Sequence, residues 1–282
     1  MVRFGPAGQD EVFPTIHKGI TELPGYLASK GLTAFEYQCG HGVRVTEKSA
    51  LAIGEKAKEH GVEVSLHAPY YISLSSSEQE KRDNSLGYIL KAARAVSWMG
   101  GERIVVHSGS AGKGNRADAL KLAADTLARA QKLLDEEGLS SVRICPETMG
   151  KLGQLGDLEE VLTLCRVDER FIPCIDFGHL NARTQGGVND YESMVGILDA
   201  IQNALGSQRA KNFHSHFSKI AYSAKGETHH LTFEDREFGP NFEPLARAIV
   251  ERGLTPTIIC ESSGTQIDDA GYMLSAYRKE LD

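Results

Sequence analysis

The sequence predicts an α/β chain folded as one (β/α)8 TIM barrel over residues 1–282, and three observations carry that reading. Short β-branched runs alternate with longer amphipathic stretches from end to end, the rhythm of strand–helix units repeated around a parallel sheet. Most of the strand-like runs end on or beside a metal-ligating residue type: His67, His107, Glu147, Asp176 with His179, His214 and His216, and Glu261. The segments that follow these runs, such as 109–115, 150–156, 183–188 and 218–239, are glycine-rich and polar. Side chains so far apart in sequence cannot meet by local folding, whereas a closed barrel brings the ends of all its strands to one face. An open doubly wound sheet would gather its ligands at one switch point and not from nearly every strand.

Eight units follow in order. The strands are expected at 2–5, 33–37, 62–66, 103–107, 142–147, 172–176, 210–216 and 257–261, each a short run of β-branched, aromatic or aliphatic residues. Helical periodicity fills 46–60, 81–99, 117–137 and 242–252, and Gly61, Gly138 and Gly253 stand where helices stop. Trp98, on the second of these helices, reads as packing. No Pro/Ser-rich linker, composition shift or internal repeat divides the chain, so a single domain is expected.

Composition narrows the function classes. A chain of 282 residues with 41% hydrophobic and 24% charged content is ordinary for a soluble protein with a full core. The N-terminal MVRFGPAGQDEVF lacks a basic run followed by an apolar stretch, and no segment approaches the length of a membrane span, so a cytoplasmic protein without a membrane partner is expected. Cys39, Cys145, Cys165, Cys174 and Cys260 are scattered without a CxxC pair, which points to buried reduced thiols and away from a thiolate zinc knuckle or a disulfide framework. The net charge of −7 suits a nucleic-acid partner poorly. Carboxylates that hold divalent cations do not count as free charge, however, and three such ions would bring the chain to about −1. Residues 109–115 lack the glycine spacing and Lys-Ser/Thr ending of a Walker phosphate loop. The barrel consumes the apolar helix faces, so a monomer is expected.

The strand-end residues read as metal ligands because they accumulate. His67 and His107 emerge where apolar strands stop, and Glu147 and Glu261 follow apolar runs where an unpaired carboxylate is strongly disfavoured without a cation. In Ile175-Asp176-Phe177-Gly178-His179 a glycine turn allows Asp176 and His179 to face one metal or two neighbours. Glu227, His229 and His230 form a further cluster in a loop. Oxygen and imidazole donors without thiolate suit zinc, manganese or iron. His60 reads as a helix C-terminal cap, and His17 and His41 as structural or surface residues.

Seven motifs together resemble the endonuclease IV family (apurinic/apyrimidinic endonuclease family 2) of the xylose-isomerase-like barrel superfamily. They are Leu66-His67-Ala68-Pro69-Tyr70, Val106-His107-Ser108-Gly109, Pro146-Glu147-Thr148-Met149-Gly150, Ile175-Asp176-Phe177-Gly178-His179, His214-Ser215-His216-Phe217-Ser218-Lys219, Glu227-Thr228-His229-His230 and Cys260-Glu261-Ser262. The resemblance implies a zinc-dependent hydrolase with up to three Zn2+, Mn2+ or Fe2+ being alternatives. It would act in base excision repair on double-stranded DNA, cleaving the phosphodiester 5′ to an abasic site with a metal-activated hydroxide. It further implies that His67 and His107 hold the most exposed metal and that Glu147 bridges it to a second. Asp176, either His214 or His216, and Glu261 would complete that second site, and His179, His229 and Glu227 would hold the third. Glu261, with Glu147, is the catalytic candidate and would orient the attacking hydroxide. The family's usual Asp-Arg-His reads Glu227-Thr228-His229 here, and residues 35–44 match only loosely.

Phosphate contacts are expected from Arg44, Lys113, Arg116, Lys151, Arg183, Lys219 and Lys225, with Tyr70 placed to stack on a sugar or base. The competing reading is a sugar or sugar-phosphate isomerase or epimerase of the same superfamily. It would use one divalent metal on Glu147, Asp176, a residue of the His214/His216 pair and Glu261, and would leave the other histidines surplus. A barrel that binds metal or nucleic acid without turnover is the third.

Overall fold

Prolines, glycines and strand alternation fix how this chain closes on itself. The computed structural model describes residues 1–112 and 114–282. Eight parallel strands form the barrel: β1 (Arg3–Pro6), β2 (Ala34–Gln38), β3 (Glu63–His67), β4 (Arg103–His107), β5 (Arg143–Glu147), β6 (Cys174–Asp176), β7 (His214–Phe217) and, after the hairpin β8 (Ile220–Ser223) and β9 (Gly226–His230), β10 (Thr257–Cys260). Their order is β1-β10-β7-β6-β5-β4-β3-β2. A bridge between Ala7 and Glu36, with Thr33 N donating to Phe4 O at 3.0 Å and Gly8 N to Glu36 O at 2.9 Å, closes β2 onto β1. The single-domain (β/α)8 barrel is therefore observed.

Strand positions agree with the sequence reading to within a residue or two except at β6 and β7. β6 is reduced to Cys174–Asp176 and pairs with β5 only at Glu147 and Cys174. Pro146 and Pro173 have no N–H to give the ladder. The expected strand at 210–216 begins only at His214, because Ser207–Lys211 turns as a helix that takes Ala210. The helices Glu47–His60, Gln79–Trp98, Arg116–Glu136 and Glu243–Glu251 start and stop for local reasons. Thr46 accepts from Ser49 N, and Asn115 accepts from Ala117 N and Asp118 N. Gly61, with φ 68°, ends the first of them in the left-handed region.

Alternation along each strand sorts the interior. Phe4, Phe35, Val64, Leu66, Ile104, Val106, Ile144, Ile175, Phe217 and Ile258 lie in one large apolar cluster, and Trp98 packs against it. The alternate positions face the barrel axis, where the apolar cluster is small: Val105, Cys145, Ile172 and Cys174. Buried polar residues share that axis, among them Glu36, Ser65, His67, Glu147, Asp176, His214 and His216. All five cysteines are free and buried, as expected. His17 stacks on Phe13 at 4.7 Å and bonds to Glu22, a structural role. Among the described residues no helix is long and apolar enough to cross a membrane.

Close backbone approach gives a stability prediction. A Cβ on Gly5 would lie 1.8 Å from Ala34 O, whereas one on Gly87, in an exposed helix turn, would meet nothing within 4 Å. Gly5→Ala is expected to cost about 2 kcal/mol or more through forced strand separation, and Gly87→Ala to stabilise by about 0.5–1 kcal/mol. Chemical denaturation of both variants tests the contrast; equal effects would show that the β1–β2 seam is not tight.

Candidate metal centre

Parallel register sets the ligand layer. His107 pairs with Glu147, and Asp176 with His216, so these residues stand level at the C-terminal ends of their strands. Three groups of donor atoms converge there, each within 4.8 Å of one another: His67, His107 and Glu147; Glu147, Asp176, His216 and Glu261; and His179, Glu227 and His230, while a fourth, Cys174, His214 and His216, reaches one layer deeper. Glu147 belongs to two of them. Its Oε2 lies 3.4 Å from both His67 Nε2 and His107 Nε2, and its Oε1 lies 3.2 Å from His216 Nδ1. His216 Nδ1 is 3.4 Å from Glu261 Oε2, and His179 Nε2 is 3.4 Å from Glu227 Oε2. Donors about 2.0–2.2 Å from a tetrahedral zinc lie roughly 3.3–3.6 Å apart, longer than an ordinary N–H···O bond.

Each histidine of the first three groups presents one nitrogen inward, and for four of the five the other is held. His67 Nδ1 bonds to Ala68 O at 2.8 Å, His179 Nδ1 to Thr148 O at 2.9 Å, and His230 Nδ1 to Ser218 Oγ at 2.8 Å. A carbonyl can only accept, so His67 and His179 carry the proton on Nδ1 and aim Nε2 at the cluster. His216 is reversed: Nδ1 faces the cluster and Nε2 lies 2.9 Å from Glu36 Oε1.

The electrostatics fit a cation. Glu147 Oε2 and Asp176 Oδ2 are buried without a hydrogen-bond partner, and no Lys or Arg pairs with either among the described residues. Burial alone would raise the Glu147 carboxyl, but the His179, His216 and His67 rings hold it well below its usual range. Burial pushes His107 down to about 4, leaving it neutral and able to ligate. Against its burial, His179 is raised by Asp176 and Glu147 to about 10. Glu261, which burial would raise, is lowered by His216 to about 2. Access is one-sided: 17% of the His107, 12% of the Glu227 and 14% of the Glu261 side chain is exposed, while Asp176 and His216 are sealed. A cavity of about 390 Å³ opens over the groups, walled by Tyr70, Met149, Lys151 and Gln154. The Tyr70 ring stacks on His107 at 5.3 Å.

Several expected residues are placed differently. His216, level with Asp176, joins the Glu147 and Glu261 group. His214 is level with Cys174, two residues or about 6.6 Å deeper, where its Nε2 bonds to Glu36 Oε2 at 2.9 Å. In the third group His230 replaces His229. The β8–β9 ladder shifts register between Ala221 and Tyr222, so Thr228 is an extra residue. That bulge puts Glu227 and His230 on one face and leaves His229 exposed, its ring bonded to Thr228. Gly150 and Gly226 let the hairpin approach: a Cβ on Gly150 would lie 2.6 Å from Glu227 Cβ, and one on Gly226 2.2 Å from Gly150 O.

The basic set is only partly free. Arg116 is held by Glu160 and by Leu152 O and Gln154 O, Arg183 by Met149 O and Lys151 O, and buried Lys219 by Asp235 O. Arg44, Lys151 and Lys225 are exposed, and Lys113 lies outside the described residues. Sequence reasoning missed Glu36, which is fully buried on β2 beneath the ligand layer. Its one signal was a carboxylate alternating with Phe35 and Tyr37 in an apolar strand.

Residues 25–279 match the family model described as Xylose isomerase-like TIM barrel. The chain is 34% identical over 272 residues to an uncharacterized protein of Methanocaldococcus jannaschii, covering 95% of this chain and 94% of the other. It is 28% identical over 189 residues to a probable endonuclease 4 of Acholeplasma laidlawii, covering 59% of this chain and 63% of that one. Among solved structures it is similar to a D-tagatose 3-epimerase-like protein, with TM-score 0.72, 19% identity and coverage of 99% and 97%. Endonuclease IV from Thermus thermophilus gives TM-score 0.68, 20% identity and coverage of 99% and 98%. At these identities the two structures speak to fold.

The titration directions give a prediction for metal loading. Because the His179 value of about 10 lies above its ordinary 6.5, its charge stabilises the metal-free fold fully below about 6.5, and that contribution is lost as pH rises through about 10. Ligation needs the neutral ring, so zinc binding at pH 7–8 is expected to release at least one proton and to tighten with rising pH. Calorimetry in buffers of different ionisation enthalpy reads this directly; buffer-independent heats would remove His179 from the ligand set.

Proposed function

The chain belongs to the xylose isomerase-like TIM barrel family, and on that premise we propose that it is a metal-dependent phosphodiesterase acting on DNA, an apurinic/apyrimidinic endonuclease that cleaves 5′ to abasic sites. The observation that carries this reading is the gathering of three ligand groups around one cavity, two of them sharing Glu147. An isomerase needs only the Glu147, Asp176, His216 and Glu261 group. His67, His107, His179, Glu227 and His230 exceed that requirement. The similarity to proteins named probable endonuclease 4 supports the same reading.

Divalent ions held by these groups would polarise a phosphoryl oxygen and make water acidic enough to react near neutral pH. The residues supply the rest. Glu261, reaching into the cavity from the end of β10, orients the attacking hydroxide. Sealed Glu147 holds two of the groups at fixed separation. Exposed Lys151 meets the phosphate, and Tyr70, stacked on His107 and half exposed, offers its exposed part to a sugar.

A second reading, epimerisation or isomerisation of a small sugar at the Glu147, Asp176, His216 and Glu261 group, is favoured by one observation. The guanidiniums of Arg116 and Arg183 are spent on protein oxygens, which leaves few cations for a DNA backbone.

Zinc- or manganese-loaded protein is expected to incise a duplex carrying a single abasic site on its 5′ side, leaving a 3′-hydroxyl, and to stop with chelator. Glu261→Gln should fold, and should lose activity by about 10²- to 10⁴-fold. Metal-loaded protein that leaves the duplex intact but interconverts ketose epimers would replace the nuclease reading with the second one.

A further inference from the structure

We propose that Glu36 is a positioning residue which, from beneath the ligand layer, fixes the ring of His216 so that Nδ1 alone is presented to the metal centre. The reversed ring carries the argument. His216 Nε2 lies 2.9 Å from Glu36 Oε1, and a carboxylate oxygen that close cannot face a ring lone pair, so Nε2 carries the proton. Nδ1, which bonds to Glu147 Oε1 at 3.2 Å and lies 3.4 Å from Glu261 Oε2, is then the nitrogen left to face the metal centre, where a bound cation would take the place of its proton.

Two further bonds hold Glu36 Oε2. Ser65 Oγ donates to Glu36 Oε2 at 2.9 Å, and His214 Nε2 bonds to the same oxygen at 2.9 Å. Oε1 faces His216 and also accepts from Gln38 Nε2 at 3.3 Å, and the His216 contact is oblique enough that Nε2 has no aligned hydrogen bond. Glu36, His214 and His216 are fully buried, so water cannot take over any of these roles. The separations of Ser65, His214 and His216 from Glu36, each 2.9 Å, are those of hydrogen bonds and ion pairs, whereas the ligand layer above shows 3.2–3.4 Å. Glu36 therefore acts behind His216 and not as a ligand. The hydrogen bonds that pin His67, His179 and His230 go to neutral oxygens of Ala68, Thr148 and Ser218, whereas His216 is backed by a carboxylate from outside the ligand groups.

The inference rests on the metal-centre reading but not on DNA as substrate. Wild type, Glu36→Gln, Glu36→Asp and His214→Gln would be titrated with zinc, and histidine side-chain ¹⁵N resonances recorded in the zinc-loaded forms. Wild type is expected to show His216 protonated at Nε2 and ligating through Nδ1. Glu36→Gln should weaken one zinc by about 10- to 100-fold and mix the His216 tautomers. Glu36→Asp should restore part of the affinity, and His214→Gln, which leaves the Glu36 carboxylate in place, should weaken that zinc less than Glu36→Gln does. The wild-type tautomer decides the matter even where a variant does not fold: Nδ1–H with Nε2 as the ligand overturns the proposal. So does Glu36→Gln with every zinc affinity within twofold of wild type. A thiolate-to-metal band in the cobalt-substituted protein that vanishes in Cys174→Ser would make the deeper layer a metal site and overturn it too. Wild type that binds no zinc sinks the metal-centre reading itself, a result distinct from variants that bind as well as wild type.

Discussion

A carboxylate sealed at the mouth of a barrel, with no arginine or lysine to neutralise it, is the constraint around which this molecule is organised. Glu147 is 1% exposed and, among the described residues, all of its basic partners are histidines: His67, His107, His179 and His216. Burying such a group is costly unless charge and hydrogen bonds compensate. In the metal-free protein protons on the surrounding rings do so, and a bound cation would do so with the same donors. Folding and metal uptake are thus coupled through one residue, and the proton is the species that metal displaces.

The rest of the interior follows from that demand. A barrel axis is commonly filled by layers of branched aliphatic side chains. Here the apolar layer is thin, and Glu36, Ser65 and His214 occupy the level just below the ligands. Polar residues at that depth must satisfy one another, because water does not reach them. The outer shell of Phe4, Phe35, Leu66, Ile104, Phe217 and Ile258 against the helices supplies the hydrophobic burial that the axis gives up. The barrel is stabilised from outside its strands and specialised within them.

The same geometry explains what the mouth can do. Asp176 and His216 are sealed while His107, Glu227 and Glu261 are partly exposed along the cavity, so a substrate meets the centre from one side only. The hairpin β8–β9 completes this wall, and it can approach only because Gly150 and Gly226 lack side chains. Lys151 and Tyr70 stand at its rim, both exposed, the first without an ion-pair partner among the described residues and the second stacked on His107.

The strand–helix rhythm, the glycine stops at Gly61, Gly138 and Gly253, and the placing of His67, His107, Glu147, Asp176 and Glu261 at strand ends were all legible in the sequence, because each depends on a local period or a local terminus. Choices that depend on register between distant segments were not. His214 and His216 lie on the same face of one strand, and only pairing with β6 shows which is level with Asp176. His229 and His230 differ by one residue, and only a bulge opposite Ala221 and Tyr222 decides which turns inward. Arg116 and Arg183 look like free cations until the loop carbonyls that hold them are seen. Glu36 belongs to no local pattern of ligands and gains its meaning from His214 and His216, at the far end of the chain but adjacent in the barrel. Sequence alone determined which chemistry stands at the barrel mouth, since strand periodicity is a property of neighbours along the chain. Tertiary structure decided which atoms share a layer and which group supports which, since depth and register are set by hydrogen bonds between strands that the chain brings together only on folding.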